Sequence, residues 1–153
     1  MEIKKIFEET VPSSRFIGKK NSEWGLFWQN GWFDILEKAG GKSEFDYIAM
    51  KRVVNGDVEY WIGMLFAPDS SVPEGFDFVD FESFQAAVFW LYGNPNNGEL
   101  YGFETHNQCL AKLPIHGFTR REDYWCIERC NCPRYTTPDE NGNVILDYYI
   151  SIE

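Results

Sequence analysis

The chain has 153 residues, a formal net charge of −10 and 18% aromatic residues. The acidic balance argues against nucleic acid, whose phosphates need a basic face, and against an anionic membrane surface. No stretch approaches the roughly 20 apolar residues that span a bilayer, and the first residues lack an apolar signal core. The sequence therefore predicts one cytoplasmic domain over residues 1–153.

The first half of the chain predicts a leading strand, then a strand, a helix and a hairpin. Strands are expected at 2–9 and 14–19, and a helix is expected from Asn21 or Ser22 to about Lys38, before Gly40-Gly41. Two further strands, at 46–53 and 58–66, flank the turn pair Asn55-Gly56. This half therefore has the order strand, helix, strand, strand after its leading strand.

The second half predicts the same order of elements. A leading strand at 76–81 precedes a strand at 85–92, a weak helix at 99–113, and strands at 124–131 and 144–152. The order strand, helix, strand, strand thus occurs twice, in repeats at about 11–66 and 84–153. Such a duplication predicts an α+β domain.

Residues 59–89, EYWIGMLFAPDSSVPEGFDFVDFESFQAAVF, carry a family resemblance. Their order is a strand, a turn with Val72-Pro73-Glu74-Gly75-Phe76, a strand, and a strand entry ending in Ala87-Val88-Phe89. It resembles the middle of the GyrI-like small-molecule-binding domains, also called AraC effector-binding domains. The resemblance implies an SHS2-type duplication: two pseudo-repeats in one antiparallel sheet, with two helices on one face and a ligand groove on the other. With no helix-turn-helix region, it implies a stand-alone effector domain.

The same resemblance implies an acid in the groove. Ile127-Glu128-Arg129 resembles the acid-containing strand of the family, so Glu128 is the first candidate and Asp147 is the second. Strand alternation puts Leu146 and Tyr148 on one face of the last strand and Asp147 and Tyr149 on the other. If Ile127 points to the helices, Glu128 and Asp147 both look into the groove. The alternative is that Glu128 pairs with Arg129, Arg121 or Lys51 at a solvated sheet edge.

Four other side chains are weaker ligand-binding candidates. Tyr149 shares the face of Asp147, and Trp28 corresponds to a helix aromatic that lies near the groove in the family. Trp61 and Met64 lie on opposite faces of one strand, so at most one of them faces the groove.

No metal or other cofactor is expected. Cys126, Cys130 and Cys132 lack the paired spacing of a zinc site, and neither histidine lies in a ligand pair. Reduced and mostly buried thiols are the better interpretation of the cysteines.

Three functions stay open. The first is a binding module for a small apolar or cationic aromatic ligand. The second is a hydrolase of cyclopropanoid or other electrophilic molecules, in which Glu128 and Tyr149 activate water. The third is a gyrase-inhibitor-like protein partner, and a homodimer is also open.

Overall fold

In a computed structural model that describes residues 1–43, 47–131 and 133–153, the strands form one eight-stranded antiparallel sheet with the order β1-β6-β8-β7-β3-β4-β2-β5. The strands are β1 (Glu2–Val11), β2 (Ser14–Lys20), β3 (Tyr47–Val54), β4 (Asp57–Phe66), β5 (Asp77–Phe81), β6 (Phe84–Gly93), β7 (Cys126–Cys130) and β8 (Val144–Ile152). The helices are α1 (Trp24–Gln29), α2 (Trp32–Lys38) and α3 (Phe103–Lys112), which is followed by a 3-10 turn (Pro114–His116). The predicted α+β class is confirmed. Asp46, the predicted start of the third strand, lies outside the described residues.

The sheet order is symmetric about its centre. Strands β3 and β7 pair in the middle, and β4 and β8 lie on their outer sides. The two leading strands are exchanged, since β1 pairs with β6 and β5 pairs with β2. Each half of the chain therefore supplies a strand that completes the other half.

One long helix was predicted up to Lys38, but the structure has two short ones. The break lies at Asn30-Gly31, where Gly31 adopts a left-handed backbone with φ of 68°. A helix interior does not accommodate that conformation, whereas glycine adopts it at little steric cost. The prediction of a single helix is wrong for this reason. No helix within the described residues is long and apolar enough to cross a membrane.

All three helices pack on the same face of the sheet. Phe27 and Phe33 of α1 and α2 cluster with Ile62 and Met64 of β4. On α3, Cys109 and Leu113 join a second cluster, whose strand members include Leu146, Tyr148 and Ile150. Leu146 and Tyr148 share one face of β8, as strand alternation predicts, and this face packs on α3.

The helix-free face is also buried, because the sheet curls upon itself. The outermost strands run directly into strands near the opposite edge, and Val11 pairs with Phe84 while Ser14 pairs with Phe81. This face forms a core of Phe16, Met50, Trp61, Leu65, Val88, Trp125, Ile127 and Tyr149 with neighbouring side chains. The expectation of a groove on the helix-free face is therefore wrong: packed side chains fill that space.

Candidate ligand cavity

A cavity lies on the helix face, between α1 and α3 and above the central strands. Its volume is about 670 Å³, within the range of small-molecule sites. Most of its surface is apolar. The aromatic side chains among its lining residues are Trp24, Trp28, Tyr47, Tyr60, Tyr101, Phe103, Tyr124 and Tyr135. The location between the helices, rather than behind the sheet, is the main correction to the predicted groove.

Strand register explains why Glu128 enters this cavity. Glu128 of β7 pairs with Ala49 of β3 on one side and with Tyr148 of β8 on the other. Directly paired residues project to the same face of a sheet, and Tyr148 packs on the helix side. Lys51 of β3 pairs with Tyr60 of β4, two positions along the same face as Ala49. Three neighbouring strands therefore bring a carboxylate, an ammonium group and a phenol together.

Glu128 is the acid at the floor of the cavity and is 3% exposed. Its Oε1 accepts a 2.7 Å hydrogen bond from the Tyr60 hydroxyl, which itself accepts a 3.0 Å bond from Trp24 Nε1. Its Oε2 lies 3.8 Å from Lys51 Nζ. Burial and the Glu128 charge hold the pKa of Tyr60 far above its usual range, so that hydroxyl is a hydrogen-bond donor at neutral pH.

A second polar contact lies beside the first. His106 Nδ1 of α3 is 2.7 Å from the Tyr148 hydroxyl, and Lys51 Nζ lies 4.9 Å from the centre of the Tyr148 ring. Burial, together with the charges of Lys51 and Arg120, lowers the pKa of His106 to about 4. The imidazole is therefore neutral at pH 7, and it can donate or accept one hydrogen bond toward the cavity.

Asp147 and Tyr149 do not lie in the cavity. Arg129 pairs with Asp147 and Ile127 pairs with Tyr149, so these residues project to the helix-free face. Asp147 is bound there by Arg134 at 2.6 Å. The expectation that Ile127 points to the helices, and that Glu128 shares its face with Asp147, is wrong. It failed because alternation shows which residues of a strand share a face, but not whether that face lies on the helix side of the sheet.

The hydroxyl of Tyr149 also has partners away from the cavity. It donates a 2.5 Å hydrogen bond to Glu9 Oε2 and accepts a 3.0 Å bond from Arg129. The pair of Glu128 and Tyr149, expected to activate water in a hydrolase, is therefore separated by the sheet.

The remaining candidates divide between the cavity and the core. Trp28 lines the cavity and is 51% exposed at its rim. Trp61 and Met64 project to opposite faces, as predicted, but Trp61 packs against Phe16 and Met64 is buried beneath α1 and α2. The structure thus brings Glu128 and Trp28 of the predicted set to the cavity.

Sequence reasoning missed three cavity residues. Tyr60 was not singled out, although it shares strand parity with Ile62 and Met64, which pack against the helices. Lys51 was considered as a partner of Glu128 only at a solvated edge, whereas the two lie on the central strands. His106 was considered as a metal ligand but not as a cavity residue, yet it lies half-buried against Tyr148.

Cys109, Cys126 and Cys130 are buried. Burial raises the pKa of Cys109 to about 12 and raises the pKa of Cys126, which lines the cavity with Cys130. Cys132 lies outside the described residues. Among the residues the structure describes, no group of histidine, cysteine and acidic side chains could hold a metal ion.

The chain has the GyrI-like α+β fold. Solved structures share this fold over nearly the whole length of the chain. SAV2435 bound to tetraphenylphosphonium has a TM-score of 0.75 at 12% identity, covering 97% of this chain and 94% of that one. A Staphylococcus aureus MU50 protein assigned to bacterial transcription regulation has a TM-score of 0.65 at 14% identity, covering 97% and 98%.

A third likeness is to the EcmrR–DNA complex. Its TM-score is 0.61 at 10% identity, covering 97% of this chain and 57% of that one. No known protein family matches the chain by sequence, and no curated protein does. The likenesses therefore show the fold.

Proposed function

We propose that the chain binds a small aromatic molecule, apolar or cationic, in the cavity between α1 and α3. The observation that carries this proposal is Glu128, a buried carboxylate at the floor of an aromatic chamber. Aromatic faces attract apolar rings and delocalised cations, and a carboxylate adds a point of attachment for positive charge. This chemistry also fits tetraphenylphosphonium, the molecule bound to SAV2435.

Each part of the cavity has a role in this proposal. Trp24, Trp28 and Tyr47 supply an aromatic wall from the first half of the chain. Tyr60 holds one oxygen of Glu128 by a hydrogen bond, so that the carboxylate has a fixed orientation. The ligand therefore meets a preorganised acid, and little ordering is needed on binding.

Isothermal titration with tetraphenylphosphonium tests the proposal. We expect saturable binding to the wild-type protein, weakened in Glu128→Gln by about 1–3 kcal/mol, the usual cost of losing a charged partner. Glu8→Gln is the matched control, since it makes the same change in the exposed part of β1, outside the cavity. Equal affinities of wild type and Glu128→Gln, or no binding to either, would overturn the proposal.

The hydrolase and the protein-partner alternatives have no comparable observation in their favour. The hydrolase was expected to use Tyr149, whose hydroxyl is bound to Glu9 on the other side of the sheet. Binding is therefore the function that the geometry supports best.

A further inference from the structure

Glu128 already has a positively charged neighbour inside the cavity. Lys51 Nζ is 3.8 Å from Glu128 Oε2 and 4.9 Å from the centre of the Tyr148 ring. The Lys51 side chain is 20% exposed and that of Glu128 is 4% exposed, so solvent screens this pair only in part. The ammonium group occupies the position next to the acid that the cation of a ligand would otherwise take.

The charges that line the cavity are not acidic on balance, although the chain carries a net charge of −10. Within the described residues they are three basic and two acidic side chains: Lys51, Arg52, Arg120, Asp123 and Glu128. Arg52 is compensated by Glu59 at 3.0 Å, and Asp123 is exposed. The buried acid is therefore neutralised by Lys51 before any ligand arrives.

The contact between Lys51 and Glu128 is loose enough to be exchanged. A separation of 3.8 Å exceeds the 2.7–3.2 Å of a direct hydrogen bond to nitrogen. Lysine carries its charge on a flexible four-carbon stem, which lets the ammonium group move toward water while the stem stays on apolar surface. Oε2 of Glu128 can therefore bind a ligand cation that comes closer to it than Lys51 does.

We propose that Lys51 is a specificity-determining residue that competes with cationic ligands for Glu128. With Lys51 in place the cavity is close to electrically neutral at its floor and accepts neutral aromatic molecules without rearrangement. A cationic ligand gains the carboxylate only by displacing Lys51 from Glu128 and from the Tyr148 ring. This inference rests on the proposed function, and it adds the charge class of ligand that the site prefers.

A pair of ligands that share a triphenyl shape and differ in charge tests this. Methyltriphenylphosphonium is a cation and triphenylphosphine oxide is neutral, and both are titrated into wild type, Lys51→Met and Lys112→Met. We expect Lys51→Met to raise the ratio of cation affinity to neutral affinity about ten-fold, the factor that corresponds to about 1.4 kcal/mol of interaction. Lys112→Met removes the same charge from the exposed end of α3 and should leave the ratio as in wild type.

Two outcomes overturn the inference. A ratio in Lys51→Met within two-fold of wild type, or a lower ratio, would show that Lys51 does not compete with cations. If Lys51→Met does not give a folded protein by circular dichroism, Lys51→Gln is measured with the same criterion. Failure of this inference alone leaves wild-type binding that is weakened in Glu128→Gln, whereas failure of the proposed function shows as no binding of either ligand to wild type or as binding that Glu128→Gln does not weaken.

Discussion

The hydroxyl of Tyr60 joins α1 to the acid of the cavity: it accepts a 3.0 Å hydrogen bond from Trp24 Nε1 and donates a 2.7 Å bond to Glu128 Oε1. Glu128 lies 68 residues further along the chain, with β3 between their two strands. A single phenol therefore fixes both the helix that covers the cavity and the carboxylate beneath it.

Replacing Tyr60 by phenylalanine tests this connection. The change removes the donor to Glu128 and the acceptor of Trp24, and a buried group left without its partner costs about 1–3 kcal/mol. We expect the free energy of unfolding, measured by urea denaturation, to fall by this amount. Tyr124→Phe is the control, because Tyr124 also lines the cavity but its hydroxyl makes no hydrogen bond to the described part of the chain. Equal losses in the two variants would contradict the prediction.

Asp147→Asn separates stability from binding. Asp147 is buried in an ion pair with the partly exposed Arg134, so loss of its charge should lower the free energy of unfolding by about 1.5–3 kcal/mol. Because Asp147 projects away from the cavity, the affinity of the folded variant for tetraphenylphosphonium should equal that of wild type. Thermal unfolding and calorimetric titration measure the two effects. Unchanged stability together with lost binding would contradict this assignment, because it would mean that Asp147 projects into the cavity.

His106 gives the stability of the protein a pH dependence. Burial, assisted by Lys51 and Arg120, lowers its pKa from 6.5 to about 4. Below pH 6.5 His106 becomes protonated in the unfolded chain, whereas in the folded protein it stays neutral until about pH 4. The stabilising contribution is thus complete above pH 6.5 and is lost as the pH falls toward 4.

The test compares wild type with His106→Gln in urea at pH 7 and at pH 5. Glutamine can keep a polar contact with Tyr148 but does not titrate, so the variant should lose less stability between these pH values. Carboxylates with lowered pKa values, such as Asp80 and Asp139, titrate below this pH interval and are present in both proteins. Identical losses would show that His106 titrates as an exposed histidine does.

The pairing of Gly18 with Gly63 predicts a steric effect. A Cβ on Gly18 would lie 2.0 Å from the carbonyl oxygen of Ile62, and a Cβ on Gly63 would lie 2.1 Å from that of Ile17. Since backbone atoms cannot move aside cheaply, either alanine substitution should cost about 1–3 kcal/mol or more. In contrast, Gly25→Ala meets nothing within 4 Å and should stabilise α1 by up to about 1 kcal/mol. Chemical denaturation of the three variants checks this order.

Local signals were enough to predict most strands. The pair Asn55-Gly56 predicted the turn between β3 and β4, and β8 spans the predicted residues, Val144–Ile152. These features depend on neighbouring residues, so the sequence carries them directly. The break at Gly31 also had a local signal, the pair Asn30-Gly31, which the prediction of a single helix did not use.

The face that β7 presents to the helices could not be assigned from such signals. Both sides of β7 are buried, because the curled sheet buries its helix-free face as well as its helix face. Alternation then separates Ile127 from Glu128 but does not say which one meets the helices. The answer depends on the pairing of Glu128 with Tyr148, a contact between distant segments that no local pattern encodes. The acid was therefore found from the family resemblance, while its neighbours Tyr60 and His106 were missed.

The central position of β3 and β7 has a consequence for how the protein holds together. Lys51 and Tyr60 come from the first half of the chain, and Glu128 and His106 come from the second. Both halves thus line the cavity, so a ligand bound there contacts both of them. The binding free energy of the ligand adds to the free energy needed to separate the two halves. This stabilisation rises with the logarithm of the ligand concentration once that concentration exceeds Kd.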